Sequence, residues 1–212
     1  MRMKATARAH PIQGLVKYHG MRDPELRLPY HDSISVCTAP TNTTTTVEWL
    51  EDVDAEDGAG DTYLIDGEEV EGRAAERIAM VVDHVREVAG FDHAVRFESE
   101  NSFPSNIGFG SSSSGFAAAA MALVEAAGLD MSLPEISTVA RRGSSSAARA
   151  VTGAFSHLYA GLNDEDCRSY RLDSDLEDEL RIVAAHVPSY KETEEAHREA
   201  AESHMFQSRV AH

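Results

Sequence analysis

Hydrophobic and polar positions recur with two different periods along this chain, and these periods separate strands from helices. Alternation and short apolar runs predict strands over 3–9, 33–38, 43–50 and 94–98. Apolar residues spaced three and four apart predict a helix over 73–89, and Gly90 directly after it marks the end. Residues 14–29 contain Gly, Pro and charged residues, and they are predicted to form a loop.

The remainder of the chain mixes helices with short strands. Asp66 and Gly67 between two short runs predict a hairpin over 63–70. An Ala-rich helix is predicted over 116–127, and Ser132 followed by Glu135 starts another that runs to about residue 142. The last predicted elements are strands over 154–159, 169–172 and 180–187 and an amphipathic helix over 193–208. This order favours the α+β class over a doubly wound parallel sheet.

A stretch rich in Gly and Ser, residues 100–115, separates the strand at 94–98 from the Ala-rich helix. Small residues let backbone amides turn inward, and a helix N-terminus adds partial positive charge, so this arrangement is typical of a phosphate site. A flexible Ser-rich linker is the alternative, but linkers rarely lie directly between a strand and a helix. The stretch is not a Walker A loop, because no lysine lies between Lys17 and Lys191, and its glycines do not have the dinucleotide-binding spacing.

Composition restricts the classes of partner. The 212 residues carry 36 acidic and 19 basic side chains, a net charge of −17, which disfavours nucleic acid as a partner. Acid-rich and Lys-poor usage is typical of proteins from salt-loving organisms, although an ordinary acidic enzyme is the alternative. No apolar run has the length of a membrane span, so no membrane partner is expected. Cys37 and Cys167 are expected to be free thiols in a cytoplasmic protein.

Two further segments have the residue types of a binding site. Lys17 is one of three lysines in a chain that otherwise uses Arg, and a cation in a cleft can contact phosphate or carboxylate. A surface lysine is the alternative. In residues 140–149, three serines precede Arg149 at the start of a predicted helix, which favours an anion site. A helix-capping serine cluster with solvated arginines is the alternative there.

Taken in chain order, these motifs resemble the mevalonate-pathway decarboxylases of the GHMP kinase superfamily. The matching segments are residues 17–23, Leu-x-Leu-Pro at 26–29, Ser-x-Ser-Val at 33–36, Ser-Glu-Asn-x-Phe-Pro at 99–104, the ATP-loop pattern Pro-x-x-x-Gly-x-Gly-Ser-Ser at 104–112, and residues 140–149. In the last segment Ser145 replaces a glycine of the family pattern.

The resemblance implies a fold and a domain division. The expected fold is the α+β GHMP kinase fold, with an N-terminal domain of the ribosomal protein S5 domain 2-like type over 1–180. Residues 181–212 are expected to begin a C-terminal ferredoxin-like domain that is otherwise truncated. The catalytic Asp of the family is expected in that missing part. Members of the family are often homodimers, so a homodimer is expected.

The resemblance also implies roles for individual residues. Lys17, Ser146 and Arg149 are expected to be catalytic, with Lys17 at the 3-hydroxyl of the substrate and the other two on its carboxylate. Tyr18, Ser144 and Ser145 are expected to bind the substrate. The residues expected to bind ATP and Mg²⁺ are Asn101, Pro104, Ser105, Asn106, Gly108, Gly110, Ser111, Ser112 and Ser113, with Ser112 nearest the metal.

The implied reaction is ATP-dependent phosphorylation of a tertiary hydroxyl followed by loss of phosphate and CO₂. Met21 occupies the position of a family lysine that grips a diphosphate, and residues 190–195 have gained acids. Like-charge repulsion then favours a monophosphate, so mevalonate 5-phosphate is the expected substrate and isopentenyl phosphate the product. The alternatives are the 5-diphosphate substrate, a GHMP small-molecule kinase without decarboxylation, and a non-catalytic nucleotide-binding fragment.

Overall fold

Two sheets enclose a layer of helices. The computed structural model describes residues 3–17, 20–55, 60–105, 108–183, 198–199, 201–206 and 208. The first sheet contains, in spatial order, β1 (Lys4–Ala9), β6 (Thr43–Asp54), β9 (His93–Asn101), β7 (Thr62–Ile65) and β8 (Glu68–Glu69). The second contains β11 (Ser169–Arg171), β10 (Phe155–Leu158), β5 (Ser33–Cys37) and β2 (Ile12–Val16). A ribbon of β3 (Met21–Asp23) and β4 (Leu28–Pro29) follows β2.

The helices are α1 (Gly72–Ala89), α2 (Ser111–Ala127), α3 (Leu133–Gly143) and α4 (Ala147–Thr152), and a 3₁₀ turn covers Asp175–Glu177. Helix α2 packs against β1 and β6, α4 packs against the strands of the second sheet, and the two helices contact each other. The main core therefore lies between α2 and the first sheet, with Val47, Trp49 and Leu123 fully buried in it. None of the described helices is both long enough and apolar enough to cross a membrane.

The structure confirms the α+β class and most predicted elements. The hairpin predicted over 63–70 is formed by β7 and β8, and its turn residues Asp66 and Gly67 both have positive φ, 53° and 82°. Positive φ at both central turn residues matches the twist of paired strands, which is why Asp-Gly forms this turn. The capping box predicted for α3 is present, because the Glu135 carboxylate accepts from Ser132 N at 2.8 Å.

Helix α2 begins at Ser111, five residues before the predicted start. Serine is a weak helix former because its hydroxyl competes for backbone groups. Here the Ser113 hydroxyl donates to Gly110 O at 2.6 Å, and the Ser114 hydroxyl donates to Ser111 O at 3.3 Å. The serine run is therefore the first turn of the helix rather than a loop before it.

The loop predicted over 14–29 is wrong in part, because β2, β3 and β4 lie within or across it. In β2, Leu15 and Val16 are each 53% exposed, so this edge strand lacks the alternation of buried and exposed residues that marks a strand in sequence. No strand includes residues 180–183, and 184–187 lie outside the described residues. Residues 198–199 and 201–202 are helical, whereas 193–197, 200 and 207 of that predicted helix lie outside the described residues.

Candidate functional site

The N-terminus of α2 is built on a glycine in the left-handed region. Gly110 has φ 84°, and a Cβ there would meet Ser113 Oγ at 3.1 Å and Ile12 O at 3.3 Å. The Ser113 hydroxyl, which is 1% exposed, also accepts from Ile12 N at 3.2 Å. Ser113 therefore ties the end of the Gly/Ser loop to β2, whereas Ser111 is half-buried and Ser112 is exposed.

A polar network holds the other end of the loop, where β9 ends. The Asn101 side chain accepts from Thr43 Oγ1 at 2.8 Å and donates to Asp66 Oδ2 at 3.1 Å and to Ser105 Oγ at 3.4 Å. Thr43 Oγ1 also lies 2.6 Å from Ser114 Oγ on α2. Sequence reasoning identified Asn101 and missed Thr43 and Asp66, which lie far from the loop in sequence and reach it only through strand pairing.

The other predicted residues of the loop lie at its surface. Pro104, Ser105 and Gly108 are exposed, and Gly108 has a positive φ of 80°. Asn106 lies outside the described residues. The exposed part of the loop thus leads directly to the amides at the start of α2, where an anion is favoured by the helix dipole.

The last residue of α3, Gly143, must be a glycine because an aromatic ring occupies the space that a side chain would need. A Cβ at Gly143 would lie 2.1 Å from Phe116 Cδ1 of α2. Arg77 of α1 donates to Gly143 O at 2.6 Å, and its guanidinium carbon lies 4.9 Å from the centre of the Phe116 ring. Helices α1 and α2 therefore define where the serine turn begins.

The three serines of this turn have different surroundings. Ser144 Oγ and Ser146 Oγ are 2.9 Å apart, and Ser146 is the half-buried N-cap residue of α4. The Ser145 hydroxyl, 1% exposed, donates to Arg27 O at 2.9 Å, which docks the turn on the segment before β4. Arg149 follows in α4 and is 3% exposed, so a positive charge lies within a largely desolvated region.

The alternative of solvated arginines is wrong for Arg141, which precedes the turn. Its side chain is fully buried and donates to Cys167 O at 3.3 Å, to Asp164 O at 3.1 Å, to Leu26 O and to Asp164 Oδ1. Arg142 donates to Asp164 Oδ2 at 2.5 Å. Sequence reasoning missed Asp164, because it lies in an acidic run that reads as solvated surface.

Lys17 directly follows β2 and is exposed. Its side chain lies along the backbone of Gly14, because a Cβ on Gly14 would be 2.9 Å from Lys17 Cγ and 3.0 Å from Lys17 Cε. Gly14 pairs with Ser35 of β5, and α4 packs against both β2 and β5. Tyr18, the next predicted substrate residue, lies outside the described residues.

Strand β2 thus connects the three predicted segments. Ile12 at its start contacts the N-terminal turn of α2, the strand also contacts the helix that carries Arg149, and Lys17 lies just beyond its end. A helix N-terminus, a lysine and a buried arginine therefore bring positive charge to the surroundings of one strand, which suits the binding of anionic groups.

Cysteine chemistry plays no part in this arrangement. Both Cys37 and Cys167 are free, as expected from the sequence. Burial raises the pKa of Cys37 to about 11, and burial also raises the pKa of Cys167. Both thiols therefore stay protonated near neutral pH, and neither is an activated nucleophile. Within the described residues, no cluster of three or more His, Cys, Asp or Glu side chains forms a metal site.

Comparison with known proteins identifies the family of this chain. The family model for the diphosphomevalonate decarboxylase-like N-terminal domain matches residues 9–169. The phosphomevalonate decarboxylase of Haloferax volcanii is 77% identical over 210 residues, which make up 99% of this chain and 63% of that protein.

Solved structures of similar proteins share the fold. Mevalonate diphosphate decarboxylase from Staphylococcus aureus matches with a TM-score of 0.78 and 34% identity over 89% of this chain and 58% of that chain. A structure described as MDDEF in complex with MVAPP, AMPPCP and magnesium matches with a TM-score of 0.75 and 30% identity, over 82% of this chain and 52% of that chain. This chain spans less than two thirds of the length of each of these proteins. The chain belongs to the diphosphomevalonate decarboxylase-like family and carries the fold of its N-terminal domain.

Proposed function

We propose that the protein containing this chain catalyses the ATP-dependent decarboxylation of mevalonate 5-phosphate to isopentenyl phosphate. The observation that carries the proposal is that one strand, β2, contacts the N-terminal turn of α2 and the helix that carries Arg149, and leads directly into Lys17. The 77% identity to a phosphomevalonate decarboxylase supports it.

The loop that ends at Gly110 would bind the nucleotide. Its exposed side opens onto the amides of a 17-residue helix, and Ser111 and Ser112 offer hydroxyls there that do not face the core. ATP would supply the phosphoryl group, and Ser112 would contribute a ligand to the Mg²⁺ that it carries. Ser113 and Asn101 act differently in this proposal: they hold the loop in place through Ile12, Thr43 and Asp66.

Lys17 would orient the tertiary hydroxyl of the substrate and stabilise charge during transfer of the phosphoryl group. The hydroxyl oxygen gains a bond to phosphorus, its proton passes to the catalytic aspartate that the family resemblance implies, and ADP leaves. The carbon–oxygen bond then breaks and releases inorganic phosphate. The bond to the carboxyl carbon breaks at the same stage, so its electron pair forms the alkene and CO₂ departs.

Arg149 and Ser146 would hold the carboxylate throughout this sequence. A planar guanidinium matches a carboxylate with two parallel hydrogen bonds, which orients the bond that must break. Burial of Arg149 strengthens this interaction because little water competes for the charge. Ser144 would act through Ser146, whose hydroxyl lies 2.9 Å from its own.

Two neighbouring positions support a substrate with one phosphate. Met21 on β3 brings no charge to a position where the family pattern has a cation. Arg22 beside it donates to Gly161 O at 2.6 Å and to Ala160 O at 2.8 Å, so its guanidinium is engaged with a loop. Fewer available cations favour the monophosphate over the more highly charged diphosphate.

The test is CO₂ release by the complete protein in concentrated KCl with Mg²⁺, from carboxyl-labelled mevalonate 5-phosphate and 5-diphosphate side by side. We expect release that requires ATP and is faster from the monophosphate. Faster release from the diphosphate would overturn the substrate assignment and keep the reaction. Consumption of ATP with a stable phosphorylated product and no CO₂ would identify a kinase, and nucleotide binding without turnover would identify a binding fragment.

The remaining parts of the proposal concern the setting of the reaction. A division into a domain over 1–180 and the beginning of a second over 181–212 follows the family resemblance, as does a homodimer. The two free thiols support a cytoplasmic location. Light scattering of the complete protein in concentrated KCl would test the dimer.

A further inference from the structure

The loop between β10 and β11 is held by three arginines from two other segments. Arg22 of β3 binds Ala160 O and Gly161 O near the start of the loop. Arg141 and Arg142 at the end of α3 share the Asp164 carboxylate, one on each oxygen. One acidic side chain thus joins this loop to the helix that leads into the serine turn.

Asp164 supplies the only carboxylate among the described hydrogen-bond partners of Arg141, and the others are backbone carbonyls of Leu26, Asp164 and Cys167. A fully buried guanidinium is costly unless a counter-charge and good hydrogen bonds compensate it. The Asp164 side chain is 31% exposed and that of Arg141 is 0% exposed. The carboxylate therefore lies between the buried guanidinium and the solvent.

The same cluster lies immediately before the proposed carboxylate site. Gly143 directly follows Arg142, and Ser144 N donates to Ala140 O at 3.1 Å in the last turn of α3. The Ser145 hydroxyl binds Arg27 O, one residue after the Leu26 carbonyl that Arg141 binds. Arg141 and Ser145 therefore both connect the segment at 26–27, one to the end of α3 and the other to the serine turn.

We infer that Asp164 is a positioning residue for this reaction, which holds Arg141 and Arg142 so that the serine turn presents Ser146 and Arg149 to the substrate carboxylate. This inference rests on the proposed function. The phosphate loop at α2 is anchored separately, through Ser113 and Asn101. The β10–β11 loop should therefore affect the decarboxylation step and leave ATP binding unchanged.

The test compares Asp164→Asn with the matched control Glu165→Gln, which makes the same charge change at the exposed neighbouring residue. Initial rates of ADP and CO₂ formation are measured with the complete protein in concentrated KCl. For Asp164→Asn we expect kcat for CO₂ to fall about 100-fold, because small misplacements of a reacting group have effects of that size. We expect KM for ATP to stay at the wild-type value and the ratio of ADP to CO₂ to rise above that of the wild type. Glu165→Gln should leave all three values unchanged.

A purely structural role would lower the melting temperature of Asp164→Asn without changing kcat or the ADP to CO₂ ratio, and that result would overturn the inference. Equal effects of Glu165→Gln would also overturn it. If Asp164→Asn does not fold, Arg142→Gln removes only the contact with the second carboxylate oxygen. A smaller change in the same direction is then expected, and unchanged kinetics would contradict the inference.

A second measurement separates this inference from the proposed function. Hydrogen exchange of the amides of Ser144, Ala147 and Arg149, which donate to Ala140 O, Ser144 O and Ser146 O, reports the order of the turn without any turnover. We expect faster exchange at these amides in Asp164→Asn and unchanged exchange in the core of α2. Unchanged exchange at the turn would overturn the inference even if the wild type releases CO₂, whereas a wild type without CO₂ release would overturn the proposed function.

Discussion

At the scale of single residues, neighbouring side chains of the same type have different roles in this protein. Ser112 and Ser113 are adjacent, yet Ser112 is exposed at the start of α2 and Ser113 is buried against β2. Arg141 and Arg149 are both buried, yet Arg141 is engaged with two loops and Arg149 lies in the short helix proposed to hold the carboxylate. The residue type sets which hydrogen bonds and charges a side chain can offer. Its position in the fold decides whether the side chain stabilises the core or is available to a ligand.

Substitution of the two adjacent serines should separate binding from stability. Ser113→Ala leaves Ile12 N without its acceptor at a buried position, so we expect the free energy of unfolding to fall by about 1–3 kcal/mol. Ser112→Ala should leave stability unchanged and weaken binding of MgATP by about tenfold, the worth of one hydrogen bond to a charged group. Denaturant unfolding and calorimetric titration with a non-hydrolysable ATP analogue measure the two effects. Equal loss of stability in both variants would contradict this division.

Replacement of Arg149 should show whether a planar guanidinium is required. Arg149→Lys keeps the charge and removes the two-pronged match to a carboxylate, so we expect kcat for CO₂ release to fall by about 100-fold. Arg171→Lys is the control, because Arg171 is 59% exposed and pairs with Glu177 at the surface. Wild-type CO₂ release by Arg149→Lys would show that charge alone suffices.

At the scale of the elements, a buried ion pair connects the end of α1 to the first sheet. Arg86 and Asp61, with side chains 8% and 3% exposed, form two hydrogen bonds of 2.9 and 3.1 Å. Asp61 also accepts from Val95 N at 2.9 Å and from the Tyr63 hydroxyl at 2.8 Å. Burial and the Asp61 carboxylate raise the pKa of Tyr63, so the phenol remains a donor at neutral pH. The carboxylate therefore joins α1, β7 and β9.

Removal of the Asp61 carboxylate should lower the free energy of unfolding far more than removal of the exposed Asp83 carboxylate. Asp61→Asn leaves the buried Arg86 without its main counter-charge, and we expect the free energy of unfolding to fall by about 3–5 kcal/mol. Asp83 also pairs with Arg86, at 2.5 Å, but its side chain is 61% exposed. Asp83→Asn should therefore cost about 1 kcal/mol or less. Chemical denaturation at constant KCl concentration measures the free energy of unfolding of both variants. Similar decreases would show that the buried pair contributes no more to stability than the exposed pair.

At the scale of the whole molecule, the net charge of −17 opposes the compact state. Many of the acidic side chains lie at the surface, where salt screens their repulsion, and the screening length falls from about 10 Å at 0.1 M to about 3 Å at 1 M salt. Buried pairs such as Arg86 with Asp61 are screened much less. The stability of the fold should therefore depend on salt mainly through its surface.

We expect the melting temperature to rise by several degrees between 0.1 M and 2 M KCl, and most steeply at the low end of that range. Tetramethylammonium chloride at equal ionic strength is the control, since it screens charge with a different cation. Equal effects of the two salts would identify screening as the cause. A melting temperature that does not change with KCl would contradict the prediction.

The sequence alone determined the fold class and most helices and strands, and it predicted the segments of the proposed site. It could do so because periodicity, capping patterns and the small-residue loop at 100–115 are local signals, as is the serine turn before Arg149. The edge strand β2 was missed because its exposed apolar residues give no alternation.

Only the tertiary structure decided which serine faces the core, that β2 connects the three segments, and that Asp164 pairs with two arginines more than twenty residues away in sequence. The physical reason is that burial and charge pairing depend on which elements pack together. Contacts between residues as far apart as Ile12 and Ser113 leave no pattern in a single sequence.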